Sequence, residues 1–379
     1  MNIGIDIRLI AYRRGMGNFV YHLVNQLAQL PTAHQFFLYT DAIRLGQNVP
    51  RDPRFQVKVL RPRLYPVWEQ ILLPWQAARD RVDVLHCPAN TAPIMKANRT
   101  RLVLTLHDVM YMLPGSVLPF PPSVYQRLGR LYRRTVVPRA AAHATRITTD
   151  SHFSQSDIVK RLQIPAPRIT VIPLAPSPAF HKLADGAYVQ AVRDKYGLPR
   201  PLIITLGAID PRKNTARIIE AFSLFQAQDP SAHQLAITGL SAREHAYFAT
   251  QVRRWGLEDS VQLLGFIGEE ELVALYNAAE MLVYPSLYEG FGLPVLEAMA
   301  CGTPVISSTV TSLPEIAGTA ALLVDPTNTA ALAQAMAQIA NDSGLKERLV
   351  QRGHQQVRPF SWPRTARETL AVYEQAAAE

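Results

Sequence analysis

Two carboxylates, Glu289 and Glu297, stand with seven residues between them in the segment Pro285-Ser-Leu-Tyr-Glu-Gly-Phe-Gly-Leu-Pro-Val-Leu-Glu-Ala-Met-Ala-Cys-Gly-Thr-Pro304. The apolar run Met281–Tyr284 before it reads as a strand that ends at Pro285. Gly290 and Gly292 let backbone approach a ligand closely. Pro294 suits the first turn of a helix and Gly302 its end, which predicts a helix over Leu293–Cys301. The free amides at such a helix start form an anion site. Glu289 before the turn and Glu297 one turn inside then bracket a phosphate-sized anion, each able to reach a hydroxyl beside it. The plainer alternative is a glycine-rich turn with two solvated glutamates.

A basic pair occupies the corresponding place after another apolar run. Arg212 and Lys213 lie in Gly207-Ala-Ile-Asp-Pro-Arg-Lys-Asn214, which follows Leu202–Leu206. Their place between an apolar strand and a helix start favours an anion-binding role. The alternative is a solvated turn. His107-Asp108 follows Leu102–Leu106, at a strand's carboxyl end, where α/β folds bind ligands. Imidazole pKa values suit acid–base work, and a satisfied loop histidine is the competing reading. Gly15-Met-Gly17 lies eight residues beyond Ile7, and Val20 stands where a dinucleotide fingerprint needs its third glycine. A nicotinamide enzyme is therefore not expected. Arg13 and Arg14 beside that loop, and Asp108, are further candidate binding residues. No Asp-x-Asp, His-x-x-x-His or Cys-x-x-Cys pattern occurs, so no metal and no cofactor is expected.

The elements that must position these residues alternate. Ile3–Ile7, Phe36–Tyr39, Val57–Leu60, Val82–His86, Leu102–Leu106 and Ile147–Thr149 are short apolar runs in the first half. Leu202–Leu206, Gln234–Thr238, Val261–Leu264, Met281–Tyr284, Pro304–Ile306 and Ala321–Val324 repeat the rhythm in the second. Helical patterns lie between most of them, including Asn18–Leu30. This is the βαβ alternation of parallel sheets. The proline-rich stretch Ile172–Phe180 separates the halves. The expected division is 1–175 and 176–360. A terminal helix over 361–379 is free to pack back on the first.

Composition narrows the function classes. The chain has 379 residues, 48% hydrophobic and 18% charged, which is ordinary globular composition. Its net charge of +9 is unevenly spread: residues 1–178 carry +14 and the remainder −5. Much of the basic excess lies in Arg51–Arg63 and in Arg127, Arg130, Arg133, Arg134 and Arg139. The second cluster alternates with Leu128 and Leu131 and reads as a basic amphipathic face, either solvated or set against anionic lipid or a polyanionic substrate. No nucleic-acid module appears, so nucleic acid is not an expected partner. Two cysteines form no disulfide framework, no leader pattern opens the chain and no apolar run spans a bilayer. The expected location is cytoplasmic, with a peripheral position on the inner membrane face open.

The segment holding Glu289 and Glu297 resembles the signature of the family 4 retaining glycosyltransferases of GT-B fold. Gly207–Asn214, His107-Asp108, Gly15-Met-Gly17-Asn-Phe and Asp150-Ser-His-Phe-Ser154 extend that resemblance, in the expected order, over essentially the whole chain. It implies two doubly wound Rossmann-like domains facing each other across a cleft, 1–175 binding the acceptor and 176–360 the nucleotide sugar. It implies that Glu297 binds the nucleotide ribose and Glu289 the C3/C4 hydroxyls of the donor sugar. Gly290, Phe291, Gly292 and Leu293 would present amides to sugar and phosphate, and Arg212 and Lys213 would hold the diphosphate. Gly207 and Asn214 fall with the donor-binding set, as do Gly15 and Gly17, while Arg13 and Arg14 would bind an acceptor phosphate and Asp108 the acceptor. His107 would contact the donor sugar as a positioning group, while the donor's own phosphate takes the acceptor's proton in a front-face, oxocarbenium-like route. The hinge departs from the family pattern: Pro173-Leu-Ala-Pro-Ser-Pro replaces its Asn-Gly-Val/Ile-Asp.

Val109-Met-Tyr-Met-Leu-Pro114 after His-Asp resembles the bacterial polysaccharide and O-antigen mannosyltransferases. That implies GDP-mannose as preferred donor, with UDP-sugars as alternatives and the base near Gly265-Phe266-Ile267. The implied acceptor is a glycan or a polyprenyl-diphosphate-linked glycan, with an anionic membrane surface as a further partner. Other GT-B enzymes, such as a nucleotide-sugar 2-epimerase or a phosphorylase, remain alternatives. So does a non-catalytic sugar- or lipid-binding relative, although that would be expected to have lost Glu289, Glu297, Arg212 or Lys213.

Overall fold

A computed structural model describes residues 1–12, 15–42, 45, 48–114, 124–227 and 233–379. The chain divides into two compact units, Met1–Leu174 with Phe360–Glu379, and Ala175–Pro359.

The first unit runs β1 (Asn2–Asp6), α1 (Met16–Leu27), β2 (Gln35–Thr40), β3 (Phe55–Val59), α2 (Tyr65–Val67), α3 (Leu73–Arg79), β4 (Val84–Cys87), β5 (Arg101–Thr105), α4 (Val124–His143), β6 (Arg146–Thr149), α5 (His152–Leu162) and β7 (Ile169–Val171). The second runs α6 (Gly186–Lys195), β8 (Leu202–Leu206), α7 (Thr215–Gln226), β9 (Gln234–Thr238), α8 (Ala242–Arg254), β10 (Val261–Leu263), α9 (Glu269–Ala278), β11 (Ala279–Tyr284), α10 (Leu293–Ala300), β12 (Val305–Ser308), α11 (Leu313–Ala317), β13 (Ala321–Val324), α12 (Thr329–Asn341) and α13 (Ser343–Val357). The chain then returns to the first unit as α14 (Trp362–Ala378).

Each unit is built on one parallel sheet. The orders are β3-β2-β1-β4-β5-β6-β7 and β10-β9-β8-β11-β12-β13. Helices cover both faces of such sheets, so the strands are apolar on both sides. Ile3 pairs with Phe36 on one side and Val84 on the other, and all three are buried. Tyr39, Trp68, Leu85, Leu104 and Ile147 anchor the first core. Ile203, Phe222, Ile237, Met281 and Met336 anchor the second.

Local signals set the helix starts. Ser151 Oγ accepts the Ser154 amide at 3.0 Å and opens α5, the Ser-x-x-Ser segment noted above. A capping box between Ser241 and Glu244 opens α8. Thr365 Oγ1 donates to the Pro173 carbonyl at 2.7 Å, and α14 packs along α1 and β5.

Two features differ from the sequence reading. β7 adds a strand beyond Ile147–Thr149, just ahead of the proline-rich stretch. It is three residues long, too short to show a pattern of its own. In α4, Arg127, Leu128, Leu131 and Arg134 are exposed, but Arg130 is 4% exposed and turns inward. Its guanidinium donates to the Tyr111 and Leu113 carbonyls at 3.3 and 2.6 Å. Arg130 therefore leaves the expected basic face, because two backbone carbonyls take its charge inside.

Candidate active site

The turn after β8 carries the basic pair. Pro211–Lys213 forms a 3-10 turn, capped by Asp210, whose carboxylate accepts the Arg212 amide at 3.0 Å. The Arg212 guanidinium returns to the same carboxylate at 2.6 Å. Asn214 adopts a left-handed conformation with φ of 59°. Its amide donates to the Pro285 carbonyl at 3.0 Å and the Pro326 carbonyl at 2.7 Å. Leu287 N donates to the Arg212 carbonyl at 2.8 Å. These bonds hold the basic turn against the end of β11.

That placement brings Lys213 to Glu289. The ammonium donates to Glu289 Oε1 at 2.8 Å and to the Tyr284 hydroxyl at 2.5 Å. The hydroxyl in turn donates to Glu289 Oε1 at 2.8 Å. All three bonds close a ring, and Glu289 Oε2 takes no hydrogen bond from a described residue. Burial pushes the Glu289 carboxyl up, but the charges of Lys213 and Arg212 outweigh it and the net shift is downward. Burial pulls the Lys213 ammonium down, but Glu289 and Tyr284 together outweigh that, so its net shift is upward. The pair is therefore ionised at neutral pH. Burial and the Glu289 charge raise Tyr284, so its hydroxyl stays protonated and donates.

The glycine loop is held from below. Ser312 Oγ donates to the Glu289 and Phe291 carbonyls at 3.0 and 2.8 Å. Phe291 is buried. Gly292 caps α10 with φ of 111°, and a Cβ there would meet Leu313 Cδ2 at 2.6 Å. Only glycine satisfies both conditions. Gly290 precedes it and Leu293 begins the helix. The carboxylate of Glu297, one turn inside α10, makes no hydrogen bond or ion pair with a described residue. Burial, then the nearby Glu269 charge, raises its carboxyl to about 8, against the opposing pull of Lys213. Gly207 follows β8, where a Cβ would lie 2.4 Å from Ile237 Cγ2.

The remaining predicted residues belong to the first unit. His107 follows β5 and is buried. Its Nδ1 is 2.7 Å from Asp150 Oδ2 and its Nε2 is 3.0 Å from the Pro88 carbonyl. Both partners are acceptors, so both ring nitrogens donate and the ring is an imidazolium. Burial lowers its pKa, but Asp150, the Pro88 carbonyl and Asp108 together raise it by more, and the net shift is upward. Asn90 Oδ1 accepts the His107 amide at 2.6 Å. Phe19, on α1, sets its ring edge-on to His107 at 4.9 Å. The Gly15–Gly17 loop that starts α1 is thereby placed beside this histidine. Gly17 is needed locally, since a Cβ there would lie 1.8 Å from the Tyr12 carbonyl oxygen. Gly15 has φ of 49° with open space around it. Asp108 Oδ1 accepts the Met110 amide at 3.0 Å. Arg13 and Arg14 lie outside the described residues.

Residues 13–175 match the family model Glycosyltransferase Family 4, and residues 190–356 match Glycosyl transferases group 1. Over 299 residues the chain is 34% identical to O-antigen chain mannosyltransferase B of Escherichia coli, covering 78% of this chain and 76% of that protein. The chain belongs to glycosyltransferase family 4. This glycosyltransferase is also 32% identical over 222 residues to the serotype-specific mannosyltransferase WbdA of Escherichia coli. That match covers 57% of this chain and only 27% of WbdA. Among solved structures, Anabaena HepE in complex with UDP and glucose superposes with a TM-score of 0.75 at 18% identity, over 99% of each chain. At that identity the likeness speaks for the fold, which is GT-B.

Several residues that shape the glycosyltransferase's candidate site escaped the sequence reading. Tyr284 ends an apolar strand, and nothing in the pattern marks its hydroxyl as the link between Lys213 and Glu289. Asp150 lies inside a recognised motif, but its pairing with His107 joins residues 43 positions apart. Among the described residues no cluster of three or more His, Cys, Asp or Glu is arranged to hold a metal ion.

Proposed function

We propose that this glycosyltransferase moves mannose from GDP-mannose to a glycan or polyprenyl-diphosphate-linked glycan, with retention at the anomeric carbon and without a metal. The observation that carries this reading is the ring of Lys213, Tyr284 and Glu289 beside the amides that open α10. Lys213, Arg212 and the helix start supply positive potential for a diphosphate. Glu289 Oε2 accepts a hydroxyl of the donor sugar, and Glu297 accepts the ribose hydroxyls. His107, with both nitrogens committed to Asp150 and the Pro88 carbonyl, holds neighbouring backbone in place; it is not the proton acceptor.

The reaction breaks the bond from sugar C1 to the diphosphate oxygen and forms a bond from C1 to an acceptor oxygen on the same face. The acceptor's proton passes to the departing phosphate oxygen. Negative charge grows on the diphosphate along this path, where fixed cations lower the barrier most. Mannose is favoured because the relatives above are named mannosyltransferases. UDP-sugars are the competing donors, since HepE was solved with UDP and glucose.

A thermal-shift series with GDP, UDP and ADP tests the donor. At 100 times its Kd a ligand adds about 2.7 kcal/mol of stability. GDP is expected to stabilise most, and turnover of GDP-mannose to an α-linked product confirms the reaction. Stabilisation by UDP alone, with turnover of a UDP-sugar, overturns the assignment of donor.

A further inference from the structure

Two neighbouring helical segments of the first unit turn large apolar side chains outward. Leu64, Ile71 and Trp75, along the stretch from α2 to α3, are 65%, 59% and 54% exposed. Leu128 and Leu131, on α4, are 61% and 59% exposed. Positions 71 and 75, and 128 and 131, share a helix face by their spacing. A π-helical stretch over Trp68–Leu72 joins α2 to α3 and buries Trp68 and Glu69 while Ile71 faces out.

A polar network beneath this face locks its parts together. Buried Glu69 accepts hydrogen bonds from Tyr65 at 2.9 Å, Tyr132 at 2.6 Å and Thr91 at 3.0 Å. Gln70 bonds the Tyr132 hydroxyl at 2.9 Å and accepts the Ile94 amide at 2.9 Å. The Tyr65 and Tyr132 rings meet edge-on at 5.4 Å. The outward residues therefore stand on one rigid platform.

The charge around them has one sign. Arg61, Arg63, Arg127 and Arg134 are exposed, and the Arg79 guanidinium lies 5.1 Å over the Trp75 ring. Within 61–79 the single acidic residue is the buried Glu69, and 93–101 and 127–143 contain none.

We propose that this face docks on an anionic lipid bilayer. The apolar side chains enter the boundary between headgroups and acyl chains, and the arginines meet lipid phosphates. Protruding Trp, Leu and Ile framed by uniform positive charge complement a surface that is negative outside and apolar beneath. A second copy of the chain would oppose like charge to like charge. Docking here would hold the enzyme on the surface where a lipid-linked acceptor resides. Binding is measured with no donor or acceptor present, so it stands or falls separately from the sugar-transfer reading.

The test is co-sedimentation of the full chain with vesicles of phosphatidylglycerol and phosphatidylcholine in equal parts, and with phosphatidylcholine alone. Binding is expected to the anionic vesicles and to fall steeply in about 1 M salt, where the screening length is about 3 Å. Each arginine lost from the face is expected to weaken partitioning about fivefold, so R127S/R134S loses more than tenfold. W75S is expected to weaken binding at high and low salt alike. Equal binding to both vesicles, or none to either, overturns the proposal. So does self-association of the wild type that W75S abolishes while vesicle binding persists. The salt series uses the wild type alone and decides the matter even where a variant misfolds.

Discussion

The Tyr284 hydroxyl lies 2.8 Å from Glu289 Oε1, and Lys213 Nζ reaches the same oxygen at 2.8 Å. Both hydrogen bonds that the carboxylate takes from described residues fall on one oxygen, which leaves Oε2 for a ligand. Lys213 is thus shared between holding Glu289 and supplying positive charge.

Tyr284→Phe keeps the ring beneath Lys213 and removes only the hydroxyl. A hydrogen bond to a charged group contributes about 1.5–3 kcal/mol, and Lys213 still holds Glu289 in the variant. Turnover is expected to fall about tenfold, with little change in nucleotide diphosphate affinity. Steady-state kinetics beside a nucleotide titration separates the two, and unchanged turnover refutes a positioning role.

Glu289→Ala is expected to abolish sugar transfer while nucleotide diphosphate still binds. Lys213→Met is expected to weaken nucleotide diphosphate binding and to cost stability, because Glu289 loses its counter-charge. Removing one partner of a fully buried pair costs about 3–5 kcal/mol. This pair is partly exposed, so the loss should fall below that range. Calorimetric titration of both variants checks the split, and equal loss of diphosphate binding in Glu289→Ala counts against its role at the sugar.

Glu297 gives a pH signature. Its folded pKa of about 8 stands above its ordinary 4.5, so folding favours the protonated acid. The cost of ionising it is absent below the ordinary value, grows as pH rises, and is complete above about 8. Glu297→Gln should therefore match the wild type at low pH and exceed it in stability at alkaline pH, without ligand. Denaturant melts across that window show the divergence, and parallel curves refute it.

The His107–Asp150 pair has the opposite sense. The raised histidine pKa contributes stability that is complete below its ordinary value of 6.5 and is lost as pH rises through the folded value. Asp150→Asn should thus destabilise most at acidic pH and least at alkaline pH. Nitrogen NMR of the wild type should show both ring nitrogens protonated near neutrality, and a neutral ring there contradicts the geometry.

The sequence alone determined the parallel α/β rhythm, because buried strands must be apolar on both faces and the helices between them periodic. It also determined the glycine loop, the helix that follows and the carboxylates around it, since Gly292, Pro294 and Glu297 act over a few neighbouring residues. Tertiary structure decided which groups meet. Tyr284 joins Lys213 across 71 positions, and Asp150 reaches His107 across 43. Arg130 looked like its exposed neighbours Arg127 and Arg134, but the carbonyls of Tyr111 and Leu113 draw it inside. The face of Leu64, Trp75 and Leu131 likewise exists because buried Glu69 ties two distant helices together. Periodicity reports which side of one helix is apolar. It carries no information on which helix stands beside it, and long-range hydrogen bonds supply that.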